Sequence, residues 1–111
     1  MKSYTNTEQS KKLAKILSIK SADMYYERVY FENKQSDWFV KFGTPIKSDD
    51  IIPCWSLSAL LDVLSYPLLS KGLTGWRCDV YNKKSYIGKS SNNPVGTCVE
   101  MIIKLNELNK L

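Results

Sequence analysis

The sequence predicts one α+β domain: a small antiparallel sheet of three to four strands packed against three helices. Two observations carry that class. Capped segments with apolar residues every three to four positions alternate with short runs of period two, and the connections are too short for parallel crossovers. The expected order is helix, one or two strands, helix, hairpin, helix. The 111 residues fit a single domain spanning 1–111, and a chain of this size can bury a core without metal or disulfide staples.

The first helix is announced by "TNTEQSKKLAKIL". Thr5 with Glu8 has capping-box spacing, and Asn6 with Gln9 offers a second frame one residue later. Leu13, Ile16 and Leu17 then share one face, with Lys11, Lys12 and Lys15 largely opposite. In "MYYERVYF" both alternating sets contain aromatics, so either face could point inward. "DWFVKF" gives a strand over Trp38–Phe42 with Trp38, Val40 and Phe42 on one side, and Glu32–Ser36 is the polar turn of a hairpin.

"IPCWSLSALLDVL" is the most organised stretch. Pro53 blocks helix before it, Ser56 is a natural N-cap, and Trp55 with Leu60 has the spacing of a hydrophobic staple. Leu57, Leu60, Leu61 and Leu64 form a core-facing stripe, and Pro67 is expected to stop the helix after Tyr66. Gly72 and Gly75 then break the chain before a hairpin. Its first strand alternates Trp76, Cys78 and Val80 with Arg77, Asp79 and Tyr81. A turn at Asn82–Lys83 or Asn82–Lys84 leads into Ser85–Gly88. In the last helix Asn93 is the cap, Pro94 suits the first position, and Val95, Cys98, Val99, Ile102 and Leu105 form the main stripe.

Chemistry is sparse. The chain has no histidine, so the usual Ser–His and Cys–His dyads are excluded. Its three cysteines, Cys54, Cys78 and Cys98, read as small buried apolar residues; neither structural zinc nor any cofactor is expected. Cys54, just outside a helix N-terminus, is the thiol to watch. Gly88-Lys89-Ser90 resembles the end of a phosphate-binding loop, but the earlier glycine of that pattern is replaced by Lys83. Asp49–Asp50, Asp23, Asp62 and Asp79 offer carboxylates without a spacing that sets two across a cleft.

The net charge is +5, and the segment from Lys71 to Lys89 carries five cations against Asp79 alone. Arg77, Tyr81, Lys83, Lys84 and Tyr86 therefore form the predicted binding surface, basic residues interleaved with aromatics. Its plainer reading is a lysine-rich hairpin that keeps strand edges soluble. No apolar run approaches the roughly 20 residues of a membrane span, and the N-terminus lacks a signal-peptide core. No membrane partner is expected, and cytoplasmic residence follows by elimination.

"EQSKKL", "SADMYY", "IPCWSLSALLDVL" and "NPVGTCVEMIIKLNELNKL" together resemble a family of small phage and mobile-element proteins of gut Bacteroidales-type bacteria. The likeness runs in order along nearly the whole chain, and Trp55-Ser56-Leu57 is its most specific element. A proline often stands in that family where this chain has Ser65, which implies a slightly longer helix here. The resemblance implies a bacterial or phage cytoplasmic origin and a compact α+β fold, and supplies no activity and no catalytic residues. The expected function is a non-enzymatic accessory protein that binds another macromolecule, a protein partner being favoured and nucleic acid the alternative. A small enzyme or ligand-binding protein comes third, and the sequence leaves the oligomeric state open.

Overall fold

A computed structural model describes residues 3–82 and 85–111, with the backbone alone at 82 and 85–87. Helix α1, Thr7–Ala14, uses the second capping frame: Asn6 Oδ1 accepts the Gln9 N–H at 2.8 Å and Gln9 Oε1 accepts the Asn6 N–H at 3.0 Å. Thr5 is buried instead. The helix stops before Ile16 and Leu17, which follow as a turn yet still pack on the core beside Leu13.

A single 3₁₀ turn, Ile19–Ser21, leads into the first sheet. Strand β1 is Met24–Glu27, followed by β2, Tyr30–Phe31, and β3, Lys34–Gln35. Next come β4, Phe39–Phe42, and β5, Ile51–Cys54. The first sheet has the order β4-β1-β5 and is antiparallel throughout. Reading Pro53 only as a helix blocker missed β5. An edge strand tolerates proline, and the register explains how. The Arg28 N–H donates to the Asp50 carbonyl at 3.1 Å, so even-numbered residues of β1 bond to β5. Pro53 lies opposite Tyr25, and its nitrogen points away from the ladder.

Between β1 and β4 the chain continues outward as a hairpin arm. The expected turn tightens to Glu32-Asn33, both left-handed at φ 49° and 65°, the type I′ geometry that suits a two-residue hairpin. Pairing then resumes as Tyr30↔Gln35 and Phe31↔Lys34.

Helix α2, Leu57–Val63, starts as predicted: Ser56 Oγ accepts the Ala59 N–H at 3.1 Å. Leu60 and Leu64 are buried, with Leu57 and Leu61 packed beside them. The helix ends three residues before Tyr66. Proline disfavours helical backbone in the residue before it, and Leu64 turns extended (φ −83°, ψ 143°) while Tyr66 turns left-handed (φ 48°). The chain thereby reaches β6, Leu68–Gly72, which pairs with β7, Gly75–Asn82; β8, Ser85–Ser91, completes an antiparallel β6-β7-β8 meander. What read as a break at Gly72 and Gly75 is the tight β6–β7 turn. Helix α3, Pro94–Glu107, opens with Asn93 Oδ1 accepting the Gly96 N–H at 2.7 Å.

The class is therefore α+β, and the strands of the described residues divide among three antiparallel sheets of three, two and three. The larger core joins Trp55, Leu60, Cys78 and Val80 to the Val95, Cys98, Met101 and Ile102 face of α3. A smaller one, Met24, Tyr26, Ile52 and Cys54, lies under the first sheet with Trp38 and Val40 against it. Phe42 departs from expectation. It shares the register face of Met24 but is 84% exposed, at the end of the edge strand β4.

Candidate binding surfaces

Cys54 sits in a sealed polar knot. Its Sγ donates to the Thr5 carbonyl at 3.4 Å, and Thr5 Oγ1 lies 3.5 Å from it. The same hydroxyl accepts the Trp55 N–H at 3.1 Å and meets Ser10 Oγ at 2.7 Å, while Tyr26 Oη donates to the Thr5 carbonyl at 2.7 Å. These bonds tie the N-terminal segment to β5 and the α2 entrance. Burial pushes the Cys54 thiol up and, with Cys54 and Tyr4 nearby, lifts the Tyr26 phenol to about 12. Both effects favour the neutral forms, the opposite of what a nucleophile needs. Cys78 and Cys98 are buried in the larger core.

A direct prediction follows. All three thiols are 0% exposed, so iodoacetamide should label them in the native protein at least a hundredfold more slowly than in denaturant. Labelling of Cys54 at a free-thiol rate in the folded state would contradict this structure.

The predicted basic surface is partly assembled. Arg77, Asp79 and Tyr81 alternate with the buried Cys78 and Val80, so they lie on the outer face of the meander. Tyr86 is the register partner of Tyr81, and Ser90 that of Arg77. Lys83 and Lys84 fall outside the described residues. Arg77 is already engaged: its Nε lies 3.0 Å from both Asp79 carboxylate oxygens and its Nη2 lies 2.9 Å from Oδ1. Gly88 makes room for this pair. A Cβ there would stand 2.2 Å from Arg77 Nη2 and 2.6 Å from Asp79 Oδ1. The Gly-Lys-Ser run is thus strand interior, and Lys89, opposite the buried Cys78, belongs to the other face beside Glu100 and Lys104. The segment's charge is divided between two faces.

The carboxylates singled out in sequence mostly have structural partners. Asp50 pairs with Arg28 at 3.1 Å, and Asp23 receives both the backbone N–H and the hydroxyl of Ser56.

The hairpin expected around Glu32–Ser36 is present, but as an arm whose exposed aromatics the sequence did not reveal. Val29, Tyr30 and Phe31 are all exposed at its tip, Phe31 by 75%. The arm is nonetheless braced. The Ser36 N–H donates to the Val29 carbonyl at 2.8 Å, and the Val29 N–H donates to Ser36 Oγ at 2.9 Å. Arg28 stacks 4.7 Å from the Trp38 ring centre while its Nε holds Asp50 and its Nη1 reaches Gln35 Oε1 at 3.3 Å. Gln35 Nε2 then donates to Tyr30 Oη at 2.7 Å. Alternation along Met24–Phe31 does not reveal that exposure: Tyr30 has the parity of the buried Met24 and Tyr26, yet it is exposed with Phe31 because both lie beyond β1, outside the first sheet.

Among the described residues no group of three metal-ligating side chains converges, and no helix is long and apolar enough to cross a membrane. No family model, curated protein or solved structure matches the chain.

Proposed function

We propose that this chain is a non-enzymatic accessory protein that binds another protein, and that the tip of its hairpin arm is the principal contact. The resemblance to small phage and mobile-element proteins makes a bacterial host or phage protein the partner we favour. One observation carries the reading: a braced arm holds Val29, Tyr30 and Phe31 out into solvent. Holding apolar groups in water has no stabilising value for the monomer, whereas a contact that buries an aromatic gains about 1.5–3 kcal/mol for a side chain of this size. Bracing removes part of the ordering cost of binding, and aromatic anchors are the residues that dominate protein interfaces.

The nucleic-acid alternative draws on Tyr81 and Tyr86, cross-strand partners in the β7–β8 ladder. It is weakened by the engagement of Arg77 with Asp79, which leaves one fewer cation for phosphate. A tagged pull-down from bacterial lysate, with and without nuclease, decides between them. The protein reading predicts a partner that survives nuclease, is lost from a Tyr30→Ser/Phe31→Ser variant and is kept by Lys83→Glu/Lys84→Glu. Partners that vanish with nuclease, with the lysine reversal and with rising salt would replace it by the nucleic-acid reading.

A further inference from the structure

We propose that the free edge of β4 is a self-association site, where two copies of the chain join antiparallel about Val40. The Gly43 N–H donates to the Asp23 carbonyl at 2.9 Å, continuing the β1–β4 register. Hydrogen-bonded and non-bonded pairs alternate in an antiparallel ladder, so residues 39, 41 and 43 bond inward to β1. Val40 and Phe42 therefore turn their N–H and C=O groups to the outside, and Trp38, just before the strand, has the same parity. Among the described residues nothing pairs with that side.

Such an edge is a template for another strand, and this one carries few of the usual deterrents. It has no proline, and its only charge is Lys41. The exposed Phe39 and Phe42 stand on its opposite faces, Phe42 opposite Met24 and Phe39 opposite Glu27.

What selects a second copy as the occupant is the self-complementarity of the segment. A two-fold axis perpendicular to the sheet pairs residues of equal parity, so the pairing centres on Val40 or on Lys41. Centring on Lys41 sets two lysines directly opposite, which is destabilising. Centring on Val40 sets Val40 against Val40, and Trp38 against Phe42 of the second copy. Val40 and Phe42 are the β4 residues whose backbone groups point outward, so each gains a partner for both its N–H and its C=O. Phe42 loses its exposure against an aromatic, Phe39 lies opposite Lys41 of the second copy, and no like charges meet. The joined sheets form one continuous sheet with β5 at both margins.

The contact is short. Gly43, at φ 125°, turns the chain away at one end, and at the other Ser36, Asp37 and Trp38 lie between strands, so β4 begins one residue later than expected. An interface of this length falls below the roughly 1,200 Å² of stable complexes, so the association is concentration-dependent. The arm tip takes no part, which keeps this site separate from the partner contact proposed above.

Sedimentation equilibrium on the purified chain, from about 10 to 500 μM, reads the association without any partner. The expected result is a reversible monomer–dimer equilibrium that Phe42→Lys weakens at least tenfold. Phe42 is exposed, so this variant should fold. Val40→Pro removes an outward N–H and should act likewise. Tyr30→Ser/Phe31→Ser should leave the equilibrium within about twofold. Several outcomes would overturn the proposal: a monomer at every concentration, association untouched by Phe42→Lys, or association lost with the arm tip. A monomer whose β4 edge protects only in the presence of a captured protein would assign the edge to that partner instead. Preferential pairing of Lys41→Glu with the unaltered chain would reject the Val40 register.

Discussion

Replacement of Trp55 by alanine should destabilise the protein by about 3–5 kcal/mol, the range for deleting a large buried aromatic. Trp55 is 0% exposed. It packs in the larger core with Leu60, and its Nε1–H donates to Ser21 Oγ at 2.9 Å. Its backbone N–H and C=O also hold Thr5, at 3.1 and 3.0 Å. Trp55 is thus the residue where α2, the 3₁₀ turn and the N-terminal segment meet, the last through its backbone. Against a typical total of about 5–15 kcal/mol, such a loss removes a large share of stability. Urea unfolding followed by circular dichroism measures it. Trp55→Phe retains most of the ring packing and gives up the indole hydrogen bond, so it should cost roughly 1–2 kcal/mol. A loss below about 1.5 kcal/mol for alanine would mean that the core does not depend on this entrance.

Gly75→Ala should be the most damaging of the glycine substitutions, at about 3 kcal/mol or more. Gly75 has φ 127°, a conformation that L side chains rarely adopt, and an added Cβ would stand 2.6 Å from the Ser91 carbonyl oxygen. That neighbour is backbone of β8 and has no side-chain freedom with which to yield. Gly72 is the control in the same turn: its nearest contact would be an ordinary 3.9 Å, so alanine there should cost less than about 1 kcal/mol. Thermal melts of the two variants side by side give the comparison. Equal effects would show that the β6–β7 turn has a different backbone from the one described.

The elements legible in the sequence are those whose signals are local. The Asn93 cap, Pro94 and the Val95–Leu105 stripe define α3 without reference to anything distant. The same holds for Ser56 and the start of α2, and for the alternation of β7. What escaped depends on pairing across the chain. β5 is a strand because β1 lies beside it and turns Pro53 outward; β6 is one because Leu68–Gly72 finds Asp79–Gly75. Period alone cannot reveal either. The end of α2 escaped because the start of β6 immediately after Pro67 draws the chain out of the helix early.

The candidate surfaces divide in the same way. The outer-face placement of Arg77 and Tyr81 followed from alternation, but the Arg77–Asp79 pair over Gly88 needed the cross-strand register. The turn of the arm was legible at Glu32–Ser36, but aromatics in both alternating sets left the inward face of Met24–Phe31 open. The exposure itself depends on where the first sheet ends: the small cluster covers Met24 and Tyr26 but not Tyr30 or Phe31, which lie beyond β1.

The central claim, that function resides in the exposed arm tip, is tested most directly by site-specific photo-cross-linking in living bacteria. A photoreactive phenylalanine analogue is placed at Phe31 in one strain and at Tyr86 in another. The account predicts a discrete, nuclease-resistant protein adduct from position 31 and none from position 86. Adducts from position 86 alone, or nucleic acid in place of protein at either position, would contradict it.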